Sequence, residues 1–463
     1  MEQTQQLVRS PLRAPGPRGR LLLGSAREFF ADPLKLFMTT ARTYGDVARI
    51  RLGPIDVFLL SSADHVKRVL VDRAADYGRN QRFVDVTHEI LGAGLFNSSG
   101  ESWKQHRRTV QPLFHKQRIN AFASMMADET EKLVAGWASA ADRAQPIAIT
   151  YEMTRLTQRI VGRTFFSLDV GEVADEVGEL VMAASRFNFR RLRSAFSWPL
   201  ALPTPSNRRF LRTAAKLDEI VGGLIQRHRE LTGQATDLLS MLMEARDDET
   251  GERLTDQQLL DHAKTFYLAG YETTANAFAW ALYALAKNPP VERQLRRELA
   301  AVLGGRRPTV DDLPNLPYLT QVIEETLRLY SPAWAMNRTA LVDDEIDGYR
   351  IPRGSEVVIA QHVLHRDPRY WTHPEGFDPD HFSPEQVAAR HRFAYFPFGG
   401  GQRKCIGTAF ATLELQIGLA VILQAYQPRL VPGTKDDVEP AFTLHPGNAL
   451  PMTVHRPPPE RTS

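Results

Sequence analysis

Residue types with chemical reach concentrate in one stretch, Phe398-Gly399-Gly400-Gly401-Gln402-Arg403-Lys404-Cys405-Ile406-Gly407, which holds the only cysteine of the 463-residue chain. Three glycines let the backbone turn tightly, and the apolar run from Ile406 to Tyr426, stopped before Pro428, predicts a helix. Cys405 therefore precedes a helix N-terminus, where unpaired N–H groups and the helix dipole favour a thiolate over a thiol. A thiolate is a nucleophile or a metal ligand. The commonest reading of a lone intracellular cysteine is a small buried hydrophobe; the glycines and the adjacent Arg403 and Lys404 argue against it. A catalytic thiol needs a histidine base, and none of the 13 histidines stands in a recognised partner motif. Zinc would want several cysteines or histidines at fixed spacing.

A second constellation lies within a long helical pattern. Thr255 and Gln258 form a capping box, Leu254 and Leu259 fit the hydrophobic staple, and no proline follows until Pro289. About 33 residues at ~1.5 Å each predict a rod of ~50 Å. From Phe266 to Ala286 the pattern is apolar nearly all round except at Ala269-Gly270-Tyr271-Glu272-Thr273-Thr274. A carboxylate and two hydroxyls in a buried helix need partners, and Gly270 permits a kink or a close ligand approach. Threonines bonding back to helix carbonyls are the plain alternative. Trp103 and Arg107, four residues apart, present an indole N–H and a guanidinium on one helix face. That pair suits an anion, and a solvated basic face is its plain alternative. Glu325 and Arg328 stand at i,i+3, a spacing that by itself contributes only tenths of a kcal/mol.

The chemistry left for Cys405 is that of a single axial thiolate on haem iron. Phe398-x-x-Gly401-x-Arg403-x-Cys405-x-Gly407 resembles the haem-binding signature of the cytochrome P-450 family. The resemblance implies that Cys405 ligates iron, Phe398 packs beside the sulfur and Arg403 pairs with a haem propionate. It extends to Trp103-x-x-x-Arg107 and Arg338, implied propionate ligands, and to the Ala-Gly-x-Glu-Thr-Thr segment. There Glu272 and Thr273 would relay protons to dioxygen, while Ala269 and Gly270 leave room. Glu325 and Arg328 would form a buried network behind the cysteine loop. The network's usual third member is an arginine in Pro-x-Arg-Phe; here Pro379-Asp380-His381-Phe382 has His381, which predicts a more pH-sensitive fold. Substrate-pocket candidates are Phe83, Phe266, Ala333, Trp334, Met336, Thr443 and Leu444.

The elements that must position these groups are mostly helical. A helix is predicted from Pro33 to Tyr44, a hairpin of Val47–Leu52 and Ile55–Leu60, a loop over residues 77–96, a helix over 318–331, a hairpin turn at 349–354, a strand over 356–360 and a last hairpin near 441–454. His365 and Trp371 read as structural. Residues 119–243 are helical with interruptions, and the family uses this region as a lid. Phe187, Phe189, Phe196 and Trp198 stand there among arginines. The expected fold is mainly α with a small β-rich subdomain, the cytochrome P-450 fold, with a polar tail over 1–13, one haem domain over 14–457 and a tail over 458–463.

Hydrophobic content of 43% and charged content of 24% suit a globular protein with a substantial core. A formal charge of +3 is too small to indicate nucleic acid, and one cysteine allows no internal disulfide, which fits a reducing cytoplasm. No uninterrupted apolar run reaches the ~18 residues needed to span a bilayer, so no membrane anchor is expected. The resemblance implies haem b, O2 as co-substrate, and NAD(P)H electrons through a separate ferredoxin or flavodoxin and its reductase. A basic face made by Lys104, Arg107, Arg108, Lys116, Arg118 and Lys404 would dock that partner. The expected activity is insertion of one oxygen atom from O2 into a lipophilic small molecule (fatty acid, terpenoid, steroid or macrocycle) by a monomer. The alternatives are a peroxide-driven or redox-neutral haem enzyme and a non-enzymatic haem sensor.

Overall fold

The computed structural model describes residues 12–167, 171–193, 198–230, 237–247 and 249–457. The expected terminal tails and Phe196 lie largely or wholly outside these. Helix α1 (Pro33–Tyr44) starts where the Asp32 side chain accepts from Lys35 N at 2.9 Å and ends at Gly45, φ 87°. Strands β1 (Val47–Leu52) and β2 (Ile55–Leu60) follow as an antiparallel hairpin with Val47 opposite Leu60. These three bounds are the ones that local turn and cap signals predict.

The expected loop over 77–96 is different. It holds a short strand β3 (Tyr77–Gly78) and then helix α2 (Gln81–Leu91), capped by Asn80 Oδ1 on Phe83 N at 2.9 Å and closed at Gly92, φ 62°. Asn80 as a cap and Gly92 as a stop are sequence signals for that helix.

Helices α3 (Gly100–Val110), α4 (Ala123–Gly136), α5 (Ile149–Phe166), α6 (Gly171–Arg193) and α7 (Pro205–Glu230) lead to α8 (Asp256–Lys287). The capping box is present: Gln258 N donates to Thr255 Oγ1 at 3.2 Å, and Thr255 N to Gln258 Oε1 at 2.9 Å. At 32 residues, α8 runs about 48 Å, and every position from Thr274 to Leu285 is buried. It packs on α5, α7, α9 (Pro317–Leu329) and α10 (Thr408–Ala425). The tight neighbour at Gly270 is α5, since a Cβ there would sit 3.1 Å from Val161 Cγ2.

The β-rich part is a five-stranded sheet in which β5 (Glu356–Ile359) runs parallel to β2 and β4 (Met336–Ala340) pairs antiparallel with β5 and β3. The stretch 349–354, expected as a turn leading into the strand over 356–360, is strand over Tyr349–Ile351 and a turn at Arg353 and Gly354, φ 84°, just before β5; a second turn lies at Asp347 and Gly348, both with positive φ. Near the C-terminus β6 (Val438–Pro440) pairs with β7 (Leu444–Pro446). By length and composition α10 is apolar enough to cross a membrane, yet it lies 61% buried inside the protein. Its one acid, Glu414, is fully enclosed, and burial pushes that carboxyl well above its ordinary range. The neutral form suits this core position.

Candidate active site

The cysteine loop is shaped by close backbone contacts. Gly401 has φ 65°, and a Cβ there would lie 1.8 Å from the Leu70 carbonyl oxygen. Only glycine fits. Cys405 N donates to Phe398 O at 2.9 Å, closing the loop, and Thr408 Oγ1 donates to Cys405 O as α10 begins. Phe398, Arg403 and Cys405 border one cavity.

Cys405 is exposed to that cavity. Burial pushes its thiol above the ordinary value; the Gly407 N–H, Arg107, Thr408 and Lys404 pull the other way without cancelling it. The helix start and the nearby cations thus favour the thiolate, while burial opposes them. A metal ion bound at the sulfur would favour the thiolate further.

Around the loop stand guanidiniums without carboxylates. Arg403 Nη2 donates to Ser98 O at 3.0 Å, and its Cζ lies 4.4 Å from the centre of the buried Trp103 ring. Arg338 Nη1 donates to the Asn337 carbonyl, while Arg107 donates to Lys404 O and Gln111 Oε1. Arg79, absent from the sequence expectations, joins them: its Cζ sits 4.6 Å from the Phe96 ring centre, and buried Nε and Nη2 have no partner. Burial and the charges of Arg403 and Arg338 push Arg79 down to about 9, and burial and Arg338 push Arg403 to about 10. Among the described residues no carboxylate pairs with Arg79, Arg107, Arg338 or Arg403. Partly buried, mutually repelling cations call for an anionic ligand. A haem with two carboxylates beside the Cys405 sulfur fits this donor set.

On α8, Thr273 Oγ1 donates to Ala269 O at 2.8 Å and Thr274 Oγ1 to Gly270 O at 3.0 Å, so both hydroxyls bond back to their own helix. Ala269, Gly270, Glu272 and Thr273 border the cavity. Glu272 Oε1 accepts from Thr443 Oγ1 at 2.7 Å.

Behind the loop, Glu325 and Arg328 are fully buried. Arg328 Nε and Nη2 reach the two Glu325 oxygens at 2.7 Å, and its remaining donors satisfy the carbonyls of His365, Pro374 and Gly376. His381 takes the third place: Nδ1 lies 3.1 Å from Glu325 Oε1 and Nε2 lies 2.6 Å from Thr372 O. Arg390, stacked 3.9 Å from the centre of Trp371 and bonded to the His381 carbonyl, brings a cation to the same cluster. The link to the cysteine loop is His365, whose Nδ1 meets Arg328 O at 3.1 Å while Nε2 accepts from Phe396 N at 3.1 Å. Sequence reading gave it only a structural role; here it ties α9 to the segment entering the loop.

That role needs a neutral ring. Burial, then Arg328, pushes His365 down to about 3; burial, then His106, does the same to His262; and His362 falls well below the usual range. Unfolded histidines bind protons near pH ~6.5 while these native rings do not, so the unfolded state binds more protons as pH falls. Stability from these sites is fully present above pH ~6.5 and is lost as the pH drops toward ~3. Melting temperatures at constant ionic strength are expected to fall steadily from pH 6.5 to 4, and a flat profile there would contradict this.

The cavity measures about 620 Å3, within the usual range of small-molecule sites. Phe83, Phe266, Ala333, Trp334, Met336 and Thr443 border it. Leu444 does not: its side chain is buried behind the wall with Phe37, Trp334 and Val358, because β7 alternates sides and Thr443 takes the cavity side. Of the lid aromatics, Phe189 borders the cavity, Phe187 stacks on Phe210 in the core at 4.2 Å, and Trp198 is exposed.

A cytochrome P450 family model matches residues 14–451. The chain is 37% identical over 433 residues to cyclooctatin synthase of Streptomyces melanosporofaciens, covering 93% of each chain. It is 35% identical to cyclooctat-9-en-7-ol 5-monooxygenase of the same organism over 89% of each chain. It is also 32% identical to pentalenene oxygenase of Streptomyces avermitilis, covering 92% of this chain and 93% of that one. The crystal structure of the cytochrome P450DA haem domain superposes with a TM-score of 0.88 at 26% identity, covering 97% of this chain and 99% of that one. With the family model and these relatives matching nearly the whole length, the chain belongs to the cytochrome P450 family and is a monooxygenase of lipophilic small molecules.

Proposed function

We propose that this monooxygenase hydroxylates or epoxidises a cyclic terpenoid. The observation that carries the reading is the mainly apolar cavity bordered at once by Cys405, the guanidiniums and Ala269 to Thr273. The terpenoid names of the relatives narrow the substrate class.

Bound in the cradle, haem b supplies O2 activation and oxygen-atom transfer. Cys405 would hold its iron, and Phe398 would shield the sulfur. Trp103, Arg107, Arg338 and Arg403 would hold the two carboxylates, with Arg79 as a further donor. Ala269 and Gly270 leave space on α8, and Glu272 with Thr273 moves protons into the cavity. Phe83, Phe96 and Phe442, whose rings lie within 6.3 Å of each other, present an aromatic wall for a rigid skeleton.

Electrons come from a separate ferredoxin or flavodoxin meeting the cysteine side of a cytosolic monomer. Lys104 and Arg108 are already paired with Glu101 and with Asp247 and Glu249. The attraction therefore rests on the exposed Lys116, Arg118 and Lys404. Spin-state titration of the ferric protein tests the substrate class. Cyclic diterpenes or sesquiterpenes are expected to shift the Soret band at micromolar concentration. A shift with fatty acids or macrocycles and none with any terpenoid would overturn it.

A further inference from the structure

The hairpin of β6 and β7 meets α8 in a three-sided polar contact. Glu272 Oε1 lies 2.7 Å from Thr443 Oγ1 and 3.2 Å from His445 Nε2, and those two atoms are 2.9 Å apart. Asn276 Nδ2 donates to Thr443 Oγ1 at 3.0 Å. The Thr443 hydroxyl has one proton to give. With that proton on Glu272, His445 must be the donor toward the shared oxygens, so Nε2 carries hydrogen. Thr273 meanwhile is committed to Ala269 O. The acid and the hydroxyl of the helix motif are therefore anchored separately, the acid on a hairpin 171 residues away in sequence. The His445 side chain is 14% exposed, so the ring can exchange protons with water.

We propose that His445 is a positioning residue that, with Thr443, orients the Glu272 carboxyl and returns a proton to it from solvent after each delivery into the cavity. This rests on Glu272 being a proton donor. The balance is simple: Glu272 loses its carboxyl proton toward the cavity, the Nε2–H bond of a His445 imidazolium breaks as an O–H bond forms on Glu272 Oε1, the ring is left neutral with its hydrogen on Nδ1, and an acid from solvent restores the Nε2 proton.

Other titratable groups lie on the packed elements. Tyr271 on α8 is buried, and burial, then the Glu272 charge, holds its hydroxyl well above the ordinary value. Glu439, the register partner of His445 on β6, is exposed. On α5, Glu152 accepts from Trp137, Arg163 pairs with Glu129 and Arg155 lies over Tyr151. Asp436, before β6, faces Tyr283 and Lys287.

The test compares wild type, His445→Gln, His445→Ala and Glu272→Gln, each verified by its reduced carbon monoxide spectrum. Product formed per electron pair, against hydrogen peroxide released, is followed from pH 6 to 8.5. Wild type is expected to lose coupling as the pH rises, and both His445 variants to be roughly tenfold less coupled at pH 6.5 with a flat pH profile. Nitrogen-15 NMR of the carbon monoxide form is expected to show hydrogen on His445 Nε2 and a displaced Nε2 resonance in Glu272→Gln. A wild-type pH profile in His445→Gln, or a bare Nε2, overturns the proposal while Glu272→Gln still uncouples. If Glu272→Gln couples like wild type, the proton-donor reading falls and the proposal with it.

Discussion

Cys405→Ser is expected to abolish turnover completely and to remove the strongly red-shifted Soret band of the reduced, carbon monoxide-bound protein. The substitution changes one atom, so packing is nearly conserved. The loop that carries it is set by Gly401 against the Leu70 carbonyl and by Cys405 N on Phe398 O. Neither contact involves the sulfur. The guanidiniums of Arg79, Arg107, Arg338 and Arg403 remain in place to hold an anionic macrocycle, so the variant is expected to retain some haem. What it loses is a polarisable thiolate donating electron density to the metal. A serine hydroxyl in a site where burial already raises the pKa of a thiol has little chance of ionising. Carbon monoxide difference spectra of both proteins decide it. A wild-type band in Cys405→Ser would mean that another residue ligates the iron.

Legibility from sequence followed the range of the interaction. The bounds of α1, β1 and β2, and the capping box of α8, rest on contacts within four residues or across a tight turn, and these were readable. The helix over Gln81–Leu91 was missed although its cap and stop are local, because its mixed composition masked an amphipathic face. Arg79 carried no signal at all. Its importance arises only when Arg338 and Arg403, both distant in sequence, are folded against it. The same holds for His445 with Glu272, and for His365, whose two ring nitrogens join α9 to the cysteine loop. The ordered motif around Cys405 revealed the chemistry, while its second layer of support needed three dimensions.

Arg328→Met shows how much depends on that second layer. The arginine is fully buried and uses its donors on both Glu325 oxygens and on the carbonyls of His365, Pro374 and Gly376. Methionine fills most of the volume and supplies none of these bonds. Three carbonyls and a buried carboxylate lose their partner, and the cost of breaking such a pair is about 3–5 kcal/mol. Glu325 would keep only Asp378 N and His381 Nδ1. The variant is expected to accumulate as haem-poor protein, with a Soret to 280 nm absorbance ratio several-fold below wild type. The double variant Arg328→Met with Glu325→Leu separates the two parts of that cost. Removing the orphaned carboxylate is expected to recover part of the lost stability, since an unpaired buried charge is the dearer element. It should not restore wild-type haem content, because the carbonyls of His365, Pro374 and Gly376 stay unsatisfied. A double variant as unstable as the sum of the two single changes would show that Glu325 acts through Asp378 and His381 rather than through Arg328.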